Sequence, residues 1–146
     1  AGEKCTIAYA PKWFIIRTAT IFGKNGSHNF VRAMLNQRDK AEIEVSNLET
    51  SFVNARDLAE KIVSLIEGGS FNYLEHIVNS GWCSLVEFAR EIFRLTGVQT
   101  SVKPVDASGR DVAVRPLNGA LVPTVGMRPW REALKAYLEE ISEHKA

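Results

Sequence analysis

The sequence predicts an α/β fold, and three observations carry that prediction. Strand-like and helix-like segments alternate four times along 146 residues, which argues for βαβ units with parallel pairing. Residues 13–16 form an uninterrupted apolar run, suited to a strand covered on both faces of a parallel sheet. After it, Gly23 and Gly26 break the chain, and Phe30, Val31, Met34 and Leu35 recur at the spacing of a helix face, with Ser27 offered as the N-cap. In an open α/β sheet such a strand–loop–helix junction lies at the carboxyl edge where ligands bind, so Arg17 and the glycine loop are the first places to look for a site.

Residues 1–10 read as the last turns of a helix ended before Pro11, with no start signal at Ala1 or Gly2. Residues 42–48 alternate, with Ile43 and Val45 on one face, as a short half-buried strand does. A helix follows from Asn54, which can cap the first turn. Asp57 stands at capping-box spacing, and Leu58, Ala59, Ile62, Leu65 and Ile66 form the stripe before Gly68 and Gly69 end it. Residues 73–78 are the next strand. Ser84 and Glu87 then open a helix whose buried face is Leu85, Phe88, Ala89, Ile92 and Phe93 and whose stop is Gly97. Residues 98–105 alternate as a strand, and residues 106–124, rich in turn formers, read as an irregular excursion. The last helix is expected to take Pro129 at its first position and to dock through Trp130, Ala133, Leu134, Tyr137, Leu138 and Ile141.

The length suggests one domain over residues 1–146, and 45% hydrophobic residues suffice for a core without metal or disulfide staples. Eighteen basic against 17 acidic residues leave a net charge of +1 and no basic run, so nucleic acid is not expected as a partner. No apolar stretch reaches the roughly 18 residues needed to cross a bilayer, and residues 1–12 lack the zones of a signal peptide, so no membrane is expected either. Cys5 and Cys83 belong to no CxxC pair; they are expected to be buried thiols in a reducing cytoplasm.

Residue by residue, the chemistry stays open. The loop 23–27 could cradle a phosphate, but its spacing is neither GxGxxG nor a P-loop, and a plain turn fits it better. Arg17 at a strand end suits either a diphosphate or a structural ion pair, and Arg115 beside Pro116 has the same two readings. His28, His76 and His144 have no metal-ligand spacing, and Ser84 is accounted for as a helix cap. Trp130 reads as packing, whereas Trp82 either packs or walls a pocket. Pattern alone yields no catalytic constellation and no metal site.

Taken together, Arg17-Thr18 with Gly23, Asn29-Phe30-Val31, Ala55-Arg56-Asp57-Leu58-Ala59, the helix 84–93, Arg115-Pro116, and Trp130-Arg131-Glu132-Ala133-Leu134 resemble the dTDP-4-dehydrorhamnose reductase branch of the extended short-chain dehydrogenases. The resemblance runs through nearly the whole chain but covers only the family's C-terminal half. It implies that strands 13–18 and 73–78 belong to a partial Rossmann sheet, while 42–48 and 98–105 form a small substrate-binding α/β subdomain. It also implies that the glycine-rich dinucleotide loop and the Tyr-x-x-x-Lys pair, absent from these residues, precede Gly2-Glu3. NADPH or NADH would bind mainly there. A dTDP-sugar would be held by Arg17, Thr20, Asn29 and Arg115, with no catalytic residue in this half. Thr20 stands where the family usually has tryptophan, Phe22 replaces a tyrosine, and Phe52-Val53 replaces a Pro-Thr pair of the substrate wall. Residues 117–125 are shorter than usual, with Val122 where an aspartate is common. Two functions follow: the nucleotide-sugar-binding portion of an NAD(P)H-dependent reductase, inactive alone, or a non-catalytic regulatory module like the β-subunit of methionine adenosyltransferase. Either way, strands cut from a Rossmann sheet are expected to leave an apolar edge that drives homo-oligomerisation.

Overall fold

The computed structural model describes residues 1–26, 28–106 and 116–143. Ser27, Arg115 and His144 therefore lie outside the described residues. In chain order the elements are α1 (Gly2–Tyr9), β1 (Phe14–Arg17), β2 (Thr20–Phe22), α2 (Phe30–Leu35), β3 (Glu42–Ser46), β4 (Glu49–Thr50), β5 (Phe52–Asn54), α3 (Ala55–Glu67), β6 (Tyr73–His76), β7 (Cys83–Ser84), α4 (Leu85–Thr96), β8 (Ser101–Val105), β9 (Asn118–Gly119) and α5 (Trp130–Glu143). The class is α/β as the pattern predicts. Three pairs, β1–β6, β2–β5 and β3–β8, are parallel and two-stranded, and β4 sits between antiparallel β7 and parallel β9.

Strands of two or three residues are too short to show a period, which is why β2, β4, β5, β7 and β9 do not emerge from alternation. The run 13–16 lies in and just before β1, but only Ile15 in it is buried, and among the described residues β6 is its one strand neighbour. Side chains on both faces of β1 other than Ile15 stay partly or fully exposed, so the expectation of a strand covered on both faces is corrected to a half-buried one. Strand β6 ends at His76, with Ile77 and Val78 continuing into the core at no exposure.

The caps account for most helix boundaries. Ser84 Oγ accepts from Glu87 N, and Gly97 closes α4 in the left-handed region at φ 70°, a conformation glycine adopts without Cβ strain. Asn54 Oδ1 accepts from Arg56 N and Asp57 N to start α3. For α2 the observed cap is Asn29, not Ser27: Asn29 Oδ1 accepts from Arg32 N at 3.0 Å. Pro129 falls one residue before α5, its carbonyl accepting from Ala133 N at 3.1 Å, rather than inside the first turn.

The core is aromatic. Phe52 stacks on Phe88 with ring centroids 3.6 Å apart, Trp130 lies 5.3 Å from Phe88, and Phe22 meets Tyr137 edge-on at 5.5 Å. Thus β5, α4 and α5 close on one another, and β3 and β8 add Ile43, Val45 and Val102. Phe52 and Val53 are wholly buried, which corrects their expected place in a substrate wall: their side chains pack inward. The predicted stripe of α3 meets no such cover. No residue of α3 is fully buried, and Val63 and Ile66 each stay 51% exposed. Helix α1 also buries nothing, and its Cys5 is exposed rather than buried as expected, while Cys83 is buried.

Candidate functional site

The carboxyl ends of β1 and β6 and the start of β2 lie together, as the open α/β rule requires of a ligand edge. Arg17 ends β1 opposite His76. Its guanidinium donates Nε and Nη2 to the two oxygens of Glu3 at 2.8 and 2.7 Å, a bidentate fork that joins α1 to β1. That hydrogen bond lowers the Glu3 carboxyl below its ordinary range and raises Arg17 above its own. Of the two readings open for Arg17, the structure shows the ion pair, with glutamate as the partner.

Beyond Arg17 the chain lays down hydroxyls. Thr18 Oγ1 donates to Ile77 O at 2.9 Å, Thr20 N donates to Ser51 O at 3.1 Å, and the hydroxyls of Thr20 and Thr50 stand 3.3 Å apart. Ser51 is fully buried, and its Oγ both donates to Leu121 O and accepts from Leu121 N at 3.0 Å. That clamp draws residues 116–124 across the edge. Further along the same strap, Val122 O lies 3.3 Å from His76 Nδ1, and Thr124 Oγ1 accepts from His76 N and bonds Glu75. The described part of the long excursion is therefore fastened at several points. Sequence reasoning misses Thr50 and Ser51, because isolated small hydroxyls carry no spacing signal. The buried Nε2 of His76 has no hydrogen-bond partner among the described residues.

Asn29 sits apart from Thr20, and its side chain is committed at both ends: Oδ1 caps α2, and Nδ2 donates to Gly23 O at 2.9 Å. Tyr137 Oη donates to the same carbonyl at 3.2 Å, and Arg32 Nη2 donates to Lys24 O at 2.7 Å. Neighbours thus hold the glycine loop by its carbonyls. A Cβ on Gly23 would stand 2.7 Å from the Ala55 Cβ, so only glycine fits where the loop crosses the start of α3. Beside the loop, Ile21, Lys24, Asn25, His28 and Arg56 line a cavity of about 700 Å³.

A buried polar network fixes these parts. Asn79, without exposure, accepts from Asn54 N at 2.8 Å and donates to Asp57 Oδ2 at 2.8 Å and to Arg128 O at 3.2 Å. Asp57 also receives Arg128 in a fork at 2.8 and 2.7 Å, and this bond raises the Arg128 guanidinium further. The starts of α3 and α5 are tied through one side chain. Farther off, where β3 and β8 end, Leu48, Pro104, Val105, Leu117 and Asn118 line an open cavity of about 570 Å³. Among the described residues no group of three His, Cys, Asp or Glu side chains is placed to hold a metal ion. Trp82 is 54% exposed and Trp130 is buried, which settles Trp130 as packing.

Comparison with known proteins adds to this geometry. A family model described as the RmlD substrate binding domain matches residues 1–143. The chain is 37% identical over 137 residues to the spore coat polysaccharide biosynthesis protein SpsK of Bacillus subtilis, covering 88% of this chain and 47% of that protein. It is 28% identical over 149 residues to the dTDP-4-dehydrorhamnose reductase of Mycolicibacterium smegmatis, covering 92% of this chain and 45% of the relative. Among solved structures, a dTDP-4-dehydrorhamnose reductase of Clostridium acetobutylicum superposes with a TM-score of 0.88 at 32% identity, over 97% of this chain and 53% of that one. The enzyme of the same name from Bacillus anthracis, solved in complex with NADP, gives a TM-score of 0.85 at 31% identity, over 96% of this chain and 52% of that one. The chain spans about half the length of the curated relatives it matches. Its parallel strand pairs, hydroxyl-lined edge and the extent of these matches lead to one conclusion: the chain belongs to the RmlD substrate-binding domain family.

Proposed function

We propose that these residues form the nucleotide-sugar-binding portion of an NAD(P)H-dependent dTDP-4-dehydrorhamnose reductase serving dTDP-rhamnose synthesis. The observation that carries this reading is the match of the substrate-binding family model over residues 1–143, on a fold whose edge offers Thr18, Thr20 and Thr50. Thr20 and Arg115 touch the sugar nucleotide in this reading. Arg17 and Asn29 act on the site chiefly by holding its frame, since Glu3 and the α2 cap already engage them. Hydride comes from NADPH or NADH bound mainly by residues outside this sequence, which contains neither a GxGxxG loop nor a Tyr-x-x-x-Lys pair. The setting is cytoplasmic, in keeping with the absence of a helix long and apolar enough to cross a membrane among the described residues.

Thermal unfolding with dTDP-rhamnose tests the binding claim. At a ligand concentration of about 100 Kd the gain is about 2.7 kcal/mol, or roughly 5–10 °C for a domain of this size. Free rhamnose should move nothing. A parallel assay should find no NAD(P)H oxidation by the 146-residue chain alone. One observation favours the regulatory-module reading: Thr20 bonds its neighbour Thr50 where the family usually sets a tryptophan near the sugar, and Phe52 packs inward. No shift with any dTDP-sugar would move the conclusion to that reading.

A further inference from the structure

The chain contains two Asn-Gly dipeptides, Asn25-Gly26 and Asn118-Gly119, and the fold treats them oppositely. Asn-Gly is the dipeptide in which the following backbone nitrogen, unshielded by a Cβ, can reach the asparagine side-chain carbonyl. Whether it does so depends on freedom at both groups. Asn25 and Gly26 are exposed, in the turn between β2 and α2. A Cβ built on Gly26 meets nothing within 4 Å, so nothing packs on the backbone at that position. Asn118 and Gly119 are exposed too, but they constitute β9, in register with Glu49 and Thr50. Asn118 Oδ1 is occupied by Ala120 N at 2.9 Å, and a Cβ on Gly119 would lie 3.7 Å from Glu49 O.

We propose that Asn25 is a site of spontaneous, water-dependent modification to aspartate and isoaspartate, and that the fold protects Asn118 from the same chemistry. The Gly26 backbone nitrogen attacks Asn25 Cγ. A bond forms between them, the Cγ–Nδ2 bond breaks, and ammonia leaves with the proton from the Gly26 nitrogen. Water then opens the cyclic imide at either carbonyl, giving aspartate or isoaspartate, with no oxidant or reductant involved. Either product adds a carboxylate to the wall of the cavity that Lys24 and Arg56 line. Isoaspartate also lengthens the backbone by one methylene within the loop that Asn29, Tyr137 and Arg32 hold. The site thus couples the age of the protein to the charge and shape of that cavity.

The test is incubation of the folded chain in mildly alkaline buffer, followed by isoelectric focusing and peptide mapping. One acidic charge should appear, mapped to Asn25 as a mixture of the two isomers, while Asn118 keeps its amide. Gly26→Ala should abolish most of the conversion, since Gly26 contacts nothing that a methyl would disturb. In urea, where both dipeptides are released, both should convert at similar rates. Equal conversion of Asn118 and Asn25 in the folded chain would overturn the proposal. So would an Asn25 that stays amide when folded but converts when unfolded.

Discussion

At the scale of single residues, environment separates side chains of the same chemistry. The two cysteines show it: burial pushes the Cys83 thiol up to about 12, with Glu87 adding to the shift, whereas Cys5 sits on the open face of α1. A thiol reagent at mildly alkaline pH should therefore modify one cysteine rapidly in the folded chain and both in denaturant. Peptide mapping should place the fast one at Cys5. The Glu3–Arg17 fork permits a second prediction, with a definite sign. The folded state depresses the Glu3 carboxyl, so the pair's contribution is present above the ordinary glutamate range and is lost as pH falls through the lower folded value. Helix α1 buries nothing, so acid should free it before the core unfolds. The protection of amides in residues 2–9, relative to their intrinsic exchange rates at the same pH, should fall at acid pH in the wild type, and Arg17→Met should show the low protection already at neutral pH.

At the scale of elements, the decisive joint is the polar network between the starts of α3 and α5. Asn79→Ala strands the buried Asn54 N and takes one donor from the Asp57 carboxylate, which keeps its fork from Arg128, and should cost about 1–3 kcal/mol in denaturant unfolding. Asp57→Ala should cost a similar amount, and the double variant much less than the sum, because the groups share partners. The aromatic joint of β5, α4 and α5 behaves differently. Phe88→Ala removes a ring that meets Phe22, Phe30, Phe52 and Trp130, and should cost about 3–5 kcal/mol. Many partners surround the hole, so no single second substitution should rescue it.

For the whole molecule, the uncovered side of α3 is the outstanding feature. Its apolar positions repeat as faithfully as those of α4, yet Val63 and Ile66 remain half exposed while five residues of α4 are buried. We propose that this side drives self-association of the 146-residue chain. Light scattering should find a species larger than 16.2 kDa, and Val63→Lys with Ile66→Lys should return it toward the monomer. The contrast between α3 and α4 also marks how far sequence reading reaches. The α/β class, the caps at Asn54 and Ser84, the stop at Gly97, the alternation of β3 and the docking face of α5 were legible from sequence because each depends on residues within a turn or two. Local periodicity states which face is apolar and leaves open what will lie against it. Only the tertiary structure decided that Phe52 turns into the core and that Arg17 meets Glu3 from α1. It likewise decided that Asn29 rather than Ser27 caps α2, and that Ser51 clamps Leu121 from 70 positions away. These contacts join groups far apart in the chain or choose between equally suited neighbours, and their energies depend on distances that no spacing in the sequence encodes.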